Sequence, residues 1–574
     1  MKKRSFWVIL LAILLACLVA GCGDDPEPKN PVTEEPKGPS TEKANLDEFY
    51  SLGTNEALVL VNAIQSEEKG LVRNGKLYVP VTILQSMDSR FYWNEKEQQL
   101  FFTNAEKRYG FKPAQNSHTE GSASVSDSVP MLISEGGVQY FCTDMVKKFG
   151  RINVTEASNP DRILLIEAGH EILQASVKNP EGAVMRTGRD ETFPIVAELP
   201  KGTPLLLAEE LSGYVWTKVV TKDGTIGYVS NLDTTTYDDV IINGDVAEPA
   251  YEHQYLGKKV CMAWHGVYSV LGGSDLKAAI KDASCLNVVC PTWYRVSSVE
   301  GSIASFASAD YVKAAHNANL KVWALVDDFA EGVPGIEVLS STAHRDTLIA
   351  NLVNAVTEVG ADGINIDFEY ITKDSAPHFL QFLRELYVAC KGKGLTLSTD
   401  NYYPNRLNEY YRLDWQAEFI DYIVFMGYDE YHAKSTTAGP VASISFVKGG
   451  VDAMLKKVPA SQIILGMPFF SRKWLTKTDE EGKQIVTSEA GGMDTMRNYV
   501  KSAGGKFSVD EKTGLNYVAM RTAEGLVQIW LEDADAIKHK LNVMKDNQLA
   551  GCSAWRLGYE SKDTWSVIKS FFSE

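Results

Sequence analysis

Apolar and polar residues alternate without a break from Ile364 to Glu369. In an extended strand Ile364, Ile366 and Phe368 point one way, and Asn365, Asp367 and Glu369 point the other. The flanking segments carry a helical period instead. "NLVNAVTEVG" before the strand and "SAPHFLQFLRELYVACKGKG" after it read as amphipathic helices, the first ending at Gly360. A strand between two helices belongs to a parallel sheet, which is buried on both faces. The polar trio is therefore costly unless its groups are paired or used.

The same switching between strand and helix patterns continues from about Leu256 to the end of the chain. The strand candidates are "KVCMAWH", "LNVVCPTWY", "LKVWALVDD", "GINIDFEY", "LTLSTDNYY", "YIVFMGYD", "IILGMPFF" and "GCSAWRLGY". Eight such units predict a (β/α)8 barrel over 255–574, with a hairpin-rich insertion at about 471–548. Two smaller modules precede it, so the expected fold class is α/β with a TIM barrel, a small all-β barrel and a small α+β repeat domain.

The repeat lies within 49–170. "GKLYVPVTILQSMDSRFYWNEKEQQLFF" and "GVQYFCTDMVKKFGRINVTEASNPDRILLI" each read as a strand, a short apolar helix, a hairpin signal and a closing strand. Short strands with turns between them follow over 171–240. There Tyr214, Trp216 and Tyr228 either fill a small core or meet a ligand. The composition shift near Tyr237 predicts a barrel that folds by itself from about Glu248.

The first residues combine "MKKR" with the apolar run "FWVILLAILLACLVAG", the pattern of a secretory signal over 1–21, with a plain membrane anchor as the alternative. Residues 22–48 are rich in Pro and charge and are expected to form a disordered tether. No later segment is apolar for long enough to span a bilayer. The cysteines beyond Cys22 show no C-x-x-C spacing and read as small buried hydrophobes.

A net charge of −17 leaves no basic footprint for nucleic acid. No histidine cluster offers a metal site, and no cofactor is expected. The chemistry is expected at the C-terminal ends of the barrel strands. Trp264, Trp293, Tyr294, Asp327, Asp328, Asp367, Glu369, Asn401, Tyr402, Tyr428, Asp429 and Trp555 all fall there. Asp367 and Glu369, two residues apart, repel each other among aromatics, which favours keeping a proton on one of them. Glu369, nearer the mouth, suits a general acid; Asp367, deeper, suits an orienting role.

"DGINIDFE" resembles the D-G-x-D-x-D-x-E signature of glycoside hydrolase family 18, the chitinases and their relatives. "MGYD", Met426 to Asp429, is similar to that family's Met-x-Tyr-Asp element, and "SAWRLGYE" to its last strand with Trp555. Among its branches, the barrel looks most like the spore-cortex and peptidoglycan N-acetylglucosaminidases. The front modules resemble a copper amine oxidase N-terminal-like domain, without its copper ligands, and a bacterial Src-homology-3-like domain. "LVAGC" resembles a lipoprotein signal in which Cys22 is lipidated.

The family resemblance implies substrate-assisted retaining hydrolysis. Glu369 would protonate the glycosidic oxygen, Asp367 would hold the acetamido N–H, and Tyr428 its oxygen. Asp429 would touch the sugar and Trp555 would floor the −1 subsite. Asn365, Met426, Trp293, Asn401 and Tyr402 complete the expected substrate-binding set. Asn365 stands where the signature has its middle aspartate, so no carboxylate relay is expected from that depth. The expected protein is a lipid-anchored, monomeric enzyme at the cell surface. It would act on an N-acetylglucosamine-containing polysaccharide, peptidoglycan above all. Chitin or N-glycan hydrolysis and a non-catalytic glycan-binding lipoprotein remain the alternatives.

Overall fold

The computed structural model describes residues 38–572 apart from 212, 270 and 274. Cys22, the signal and most of the tether lie outside the described residues. The last stretch of the tether is ordered: Ser40 N donates to Glu191 O at 2.8 Å and Ala44 N to Ile195 O at 2.7 Å. Asn45 then caps the short helix Leu46–Phe49.

Eight parallel strands close into a barrel: Val260–His265 (β1), Val288–Val296 (β2), Lys321–Asp327 (β3), Gly363–Asp367 (β4), Thr396–Asn401 (β5), Tyr422–Met426 (β6), Ile463–Pro468 (β7) and Gly551–Trp555 (β8). Pairing of β1 with both β2 and β8 completes the ring. The helices used below are Thr342–Val359 (α1), Ala376–Lys391 (α2), Ile444–Leu455 (α3) and Ala534–Asp546 (α4). Ser341 caps α1, and Gly360 ends it in the left-handed conformation at φ 76°, as the sequence pattern predicts.

Strand parity separates two apolar layers. Met262, Trp264, Cys290, Trp323, Leu325, Tyr422, Val424 and Ile464 fill the lumen. Ile364, Ile366, Leu397, Ile423 and Phe425 face outward and pack with Leu352, Val356 and Phe382 of the helices. At the bottom of the lumen Trp323 stacks on Tyr422, with ring centroids 5.3 Å apart. This filling explains Gly363, where a Cβ would stand 2.5 Å from Thr396 O and 2.8 Å from the Trp323 ring. Below its mouth the barrel is a packed core.

The inserted piece is a five-stranded antiparallel sheet over 470–531 that also carries the helix Met493–Ser502. It ends earlier than the expected 548 because Asp533 caps α4, which packs against β7 and β8 as a barrel helix.

The front of the chain shows the repeat. Lys76–Pro80, Val81–Met87, Phe91–Asn94 and Gln99–Thr103 match Val138–Cys142, Thr143–Phe149, Ile152–Ala157 and Arg162–Glu167 in order and type. The first strands of the two repeats pair antiparallel. The two hairpins part company, the first joining a separate five-stranded sheet. Residues 171–241 form a seven-stranded antiparallel sheet over a core of Met185, Leu205, Val219 and Val229. Tyr214 and Tyr228 lie outside that core, with the Arg189 guanidinium 4.6 and 4.8 Å from their ring centres. Cys142, Cys261, Cys290, Cys390 and Cys552 are buried free thiols, while Cys285 is half-buried.

The polar face of α2 does not meet water. Gln381 donates to Thr103 Oγ1 at 2.9 Å and Arg384 to Ser89 O at 2.7 Å, both in the first repeat. Arg345 of α1 is fully buried, bonds Glu385 at 2.8 Å and stands over the Tyr92 ring. Arg108 reaches Asp346 at 2.7 Å and Glu385 at 3.1 Å. Barrel and repeat domain thus share a buried polar seam, and such groups keep their value only while paired. A chain beginning at Glu248 is expected to fold with a lower urea midpoint than the full chain. Equal midpoints would show that the seam contributes nothing to the barrel's stability.

Candidate active site

The inward faces of β4 and β5 bring the polar residues together at the mouth of the barrel. They line a cavity of about 190 Å³ with Asp367, Glu369, Asp400 and Tyr402 on one side and Met426, Tyr428 and Asp429 on the other. Aromatic rings complete it. Trp264 lies 5.8 Å from Trp555 and edge-on to Tyr428 at 6.4 Å, and Phe329 and Phe470 close the rim.

Asp367 is buried at the end of β4, and its Oδ1 has no hydrogen-bond partner. Burial, followed by the charges of Asp400, Glu369, Asp327 and Asp328, holds its carboxyl well above the usual range. Burial also pushes Asp400 up to about 8 against the bonds that would lower it. Glu369 is raised by burial too, while the Tyr402 hydroxyl, which donates to Glu369 Oε2, opposes that rise. Asp328 accepts from the backbone N–H groups of Glu369 and Tyr370, both at 3.0 Å, and so fixes the loop that carries the acid.

Asn365 sits beneath this group, fully buried and with its amide satisfied. Its Nδ2 donates to Asp400 Oδ1 at 2.8 Å and to Ser398 Oγ at 3.0 Å, and its Oδ1 accepts from Trp264 Nε1 at 3.3 Å. It does not line the cavity, so the expected substrate contact is replaced by a supporting role under Asp400. At the level of Asp367 a second carboxyl, Asp400, comes from the neighbouring strand β5, where Asn365 pairs with Ser398 one step below. An amide at 365 adds a donor where a third carboxylate would add repulsion.

Two further expectations are corrected. Trp293 lies in the layer between strands and helices, 1 % exposed and 5.1 Å from the Tyr311 ring, away from the cavity. A register shift between Thr292 and Tyr294 alters the parity of β2 there. Asn401 points out of the barrel and donates to Thr399 Oγ1 at 3.1 Å. Its neighbour Asp400 is the inward residue, as counting alternately from Ser398 would have shown. Phe329 follows β3 in a loop, where no periodic signal marks it, and Phe470 opens the first strand of the inserted sheet.

Glu369, Asp367, Tyr428, Met426, Asp429, Trp555 and Tyr402 do line the cavity. Asp429 has a left-handed backbone at φ 59°, which Asp tolerates, and Arg472 of the inserted sheet approaches it at 3.8 Å. Tyr402 is occupied as the partner of Glu369. Asp327 is held at the rim by Arg295.

The sequence profile of glycosyl hydrolases family 18 matches residues 258–560. The chain belongs to this family. Over 286 residues the chain is 22% identical to the uncharacterized glycosylase YvbX of Bacillus subtilis, covering 47% of this chain and 80% of that protein. It is 24% identical over 246 residues to the cortical fragment-lytic enzyme of the same organism, covering 41% of this chain and 56% of that protein. The crystal structure of the Bacillus cereus spore cortex-lytic enzyme SleL superposes with a TM-score of 0.50 at 16% identity, over 59% of this chain and 78% of that one, a likeness of fold. The family 18 domain is therefore a glycoside hydrolase, with Glu369 at the position of the signature's final glutamate.

Asp400 gives the site a signed pH dependence. Its acid form persists to about pH 8 in the folded chain and is lost near its ordinary value of about 3.9 when unfolded. The folded state thus binds the extra proton between those values, and the stability this provides is complete below about pH 4 and lost as pH rises through 8. Asp400→Asn is expected to raise the melting temperature more at pH 8.5 than at pH 5 while lowering kcat roughly 10²-fold, because it removes a preorganised carboxyl group from beside the reacting centre. Equal thermal shifts at both pH values would contradict the protonated Asp400.

Proposed function

We propose that this glycoside hydrolase cleaves β-linked N-acetylglucosamine in peptidoglycan by substrate-assisted retaining hydrolysis. The observation that carries the mechanism is the unpartnered Asp367 Oδ1 behind Glu369 in an aromatic-lined cavity. A carboxyl raised this far is a poor nucleophile, yet it retains a free acceptor for an acetamido N–H.

In this reading Glu369 gives its proton to the glycosidic oxygen as that bond breaks. The acetamido carbonyl oxygen of the −1 sugar attacks the anomeric carbon, and the positive charge of the resulting oxazolinium ion falls beside Asp367 and Asp400. Tyr428 meets the acetamido oxygen, Trp555 supplies the apolar floor, and Asp429 bonds a sugar hydroxyl. Water then attacks the anomeric carbon from the face the leaving group vacated, Glu369 takes its proton, and the acid is restored.

The relatives named for cortical fragment lysis support a wall glycan as the substrate. The "LVAGC" sequence supports a lipid anchor at Cys22 and action outside the cytoplasm, and the protein is proposed to work there as a monomer.

Glu369→Gln is expected to lose about 10²–10⁴-fold in kcat with KM nearly unchanged. Mass spectrometry of digested peptidoglycan should find N-acetylglucosamine at the new reducing ends. Muramic acid at those ends, or full activity in the Gln variant, would overturn the assignment.

A further inference from the structure

A second cavity, of about 360 Å³, lies beside the active site between the loop that follows β5 and the end of α3. Tyr402 lines both cavities, and its hydroxyl bonds Glu369. The second cavity therefore opens one side chain away from the acid. The two differ in charge. The first is lined by Asp367, Glu369, Asp400 and Asp429 without a lysine or arginine among its walls. The second has Arg406, Arg412, Lys456 and Lys457 against the single carboxylate of Glu409.

Some of that positive charge is already matched. Lys457 engages Glu409 at 3.3 Å, and Arg412 engages Asp414 at 2.7 Å. Arg406 and Lys456 are exposed and form no ion pair among the described residues. The loop that presents Arg406 is held by its own side chains. Asn408 Oδ1 accepts from Asn405 N at 2.8 Å, and Asn408 Nδ2 donates to Tyr403 O at 2.9 Å. A preorganised loop offering unpaired cations, in a chain of net charge −17, is suited to an anion and offers a neutral sugar little.

We infer that this cavity is a subsite for a carboxylate borne by the glycan beside the N-acetylglucosamine that is cleaved. The inference rests on the peptidoglycan reading and deepens it, because the cationic cavity then selects carboxylate-bearing wall glycan over neutral chitin-like chains. The carboxylate has two possible sources, the lactyl ether of muramic acid or a peptide attached to it. Both present the same group to Arg406 and Lys456.

The test compares full-length wild type with Arg406→Ala/Lys456→Ala on three soluble substrates: a neutral N-acetylglucosamine oligomer, a wall glycan with free lactyl carboxylates, and one with peptides attached. The ratio of kcat/KM for carboxylate-bearing to neutral substrate should fall roughly tenfold in the variant, mostly through KM. Raised salt should lower the same ratio in wild type, and Arg406→Lys should restore part of it. Whichever carboxylate-bearing substrate shows the larger fall identifies the source. A ratio unchanged in the variant, while wild type still cleaves wall glycan, would overturn the subsite alone. Wild type that cleaves only the neutral oligomer would overturn the peptidoglycan reading and the subsite with it.

Discussion

Carboxyl groups buried together at the mouth of the barrel set the terms for the rest of this structure. Asp367 and Asp400 stand on adjacent strands over an apolar lumen, and burial together with mutual repulsion opposes their ionisation. The protein does not neutralise them with a cation at that depth. It supplies the Asn365 amide, which bonds Asp400 and accepts from Trp264 in turn. The resulting group keeps protons at pH values where exposed carboxyls have lost them. Such a group can accept an amide N–H and sit beside developing positive charge without becoming a competing nucleophile.

The scaffold serves this arrangement at several distances. Trp323 and Tyr422 plug the lumen below, so the strands that carry the carboxyls are held by packing on both faces. Asp328 grips the backbone after β4 and sets where Glu369 can reach. The inserted sheet brings Phe470 to the rim and Arg472 toward Asp429. Farther out, the repeat domain covers the polar face of α2, so the helices behind the acid-bearing strand are braced by a second module.

Strand parity made much of the site legible in the sequence. Unbroken alternation in β4 identified Asp367 and Glu369, and the same logic extends to Met426 and Tyr428 through β6. It failed where a local irregularity or a wrong starting point intervened. The register shift in β2 turned Trp293 into the helix layer, and choosing Asn401 instead of Asp400 in β5 missed the second buried carboxyl. The pairing of Gln381 and Arg384 with the repeat domain left no trace in their helix, since a polar face docked on another module has the same period as one facing water. Substitution at position 365 was visible in the sequence, but its consequence depended on a residue of the neighbouring strand.

The central claim is that the substrate's acetamido group, not a directly attacking water, displaces the leaving group above these protonated carboxyls. Proton NMR of the products formed in the first minutes of hydrolysis, before mutarotation, reads the configuration at the new anomeric carbon. Two displacements at one carbon predict the β-anomer as the first product. An α-anomer appearing first would mean a single displacement by water and would contradict the account.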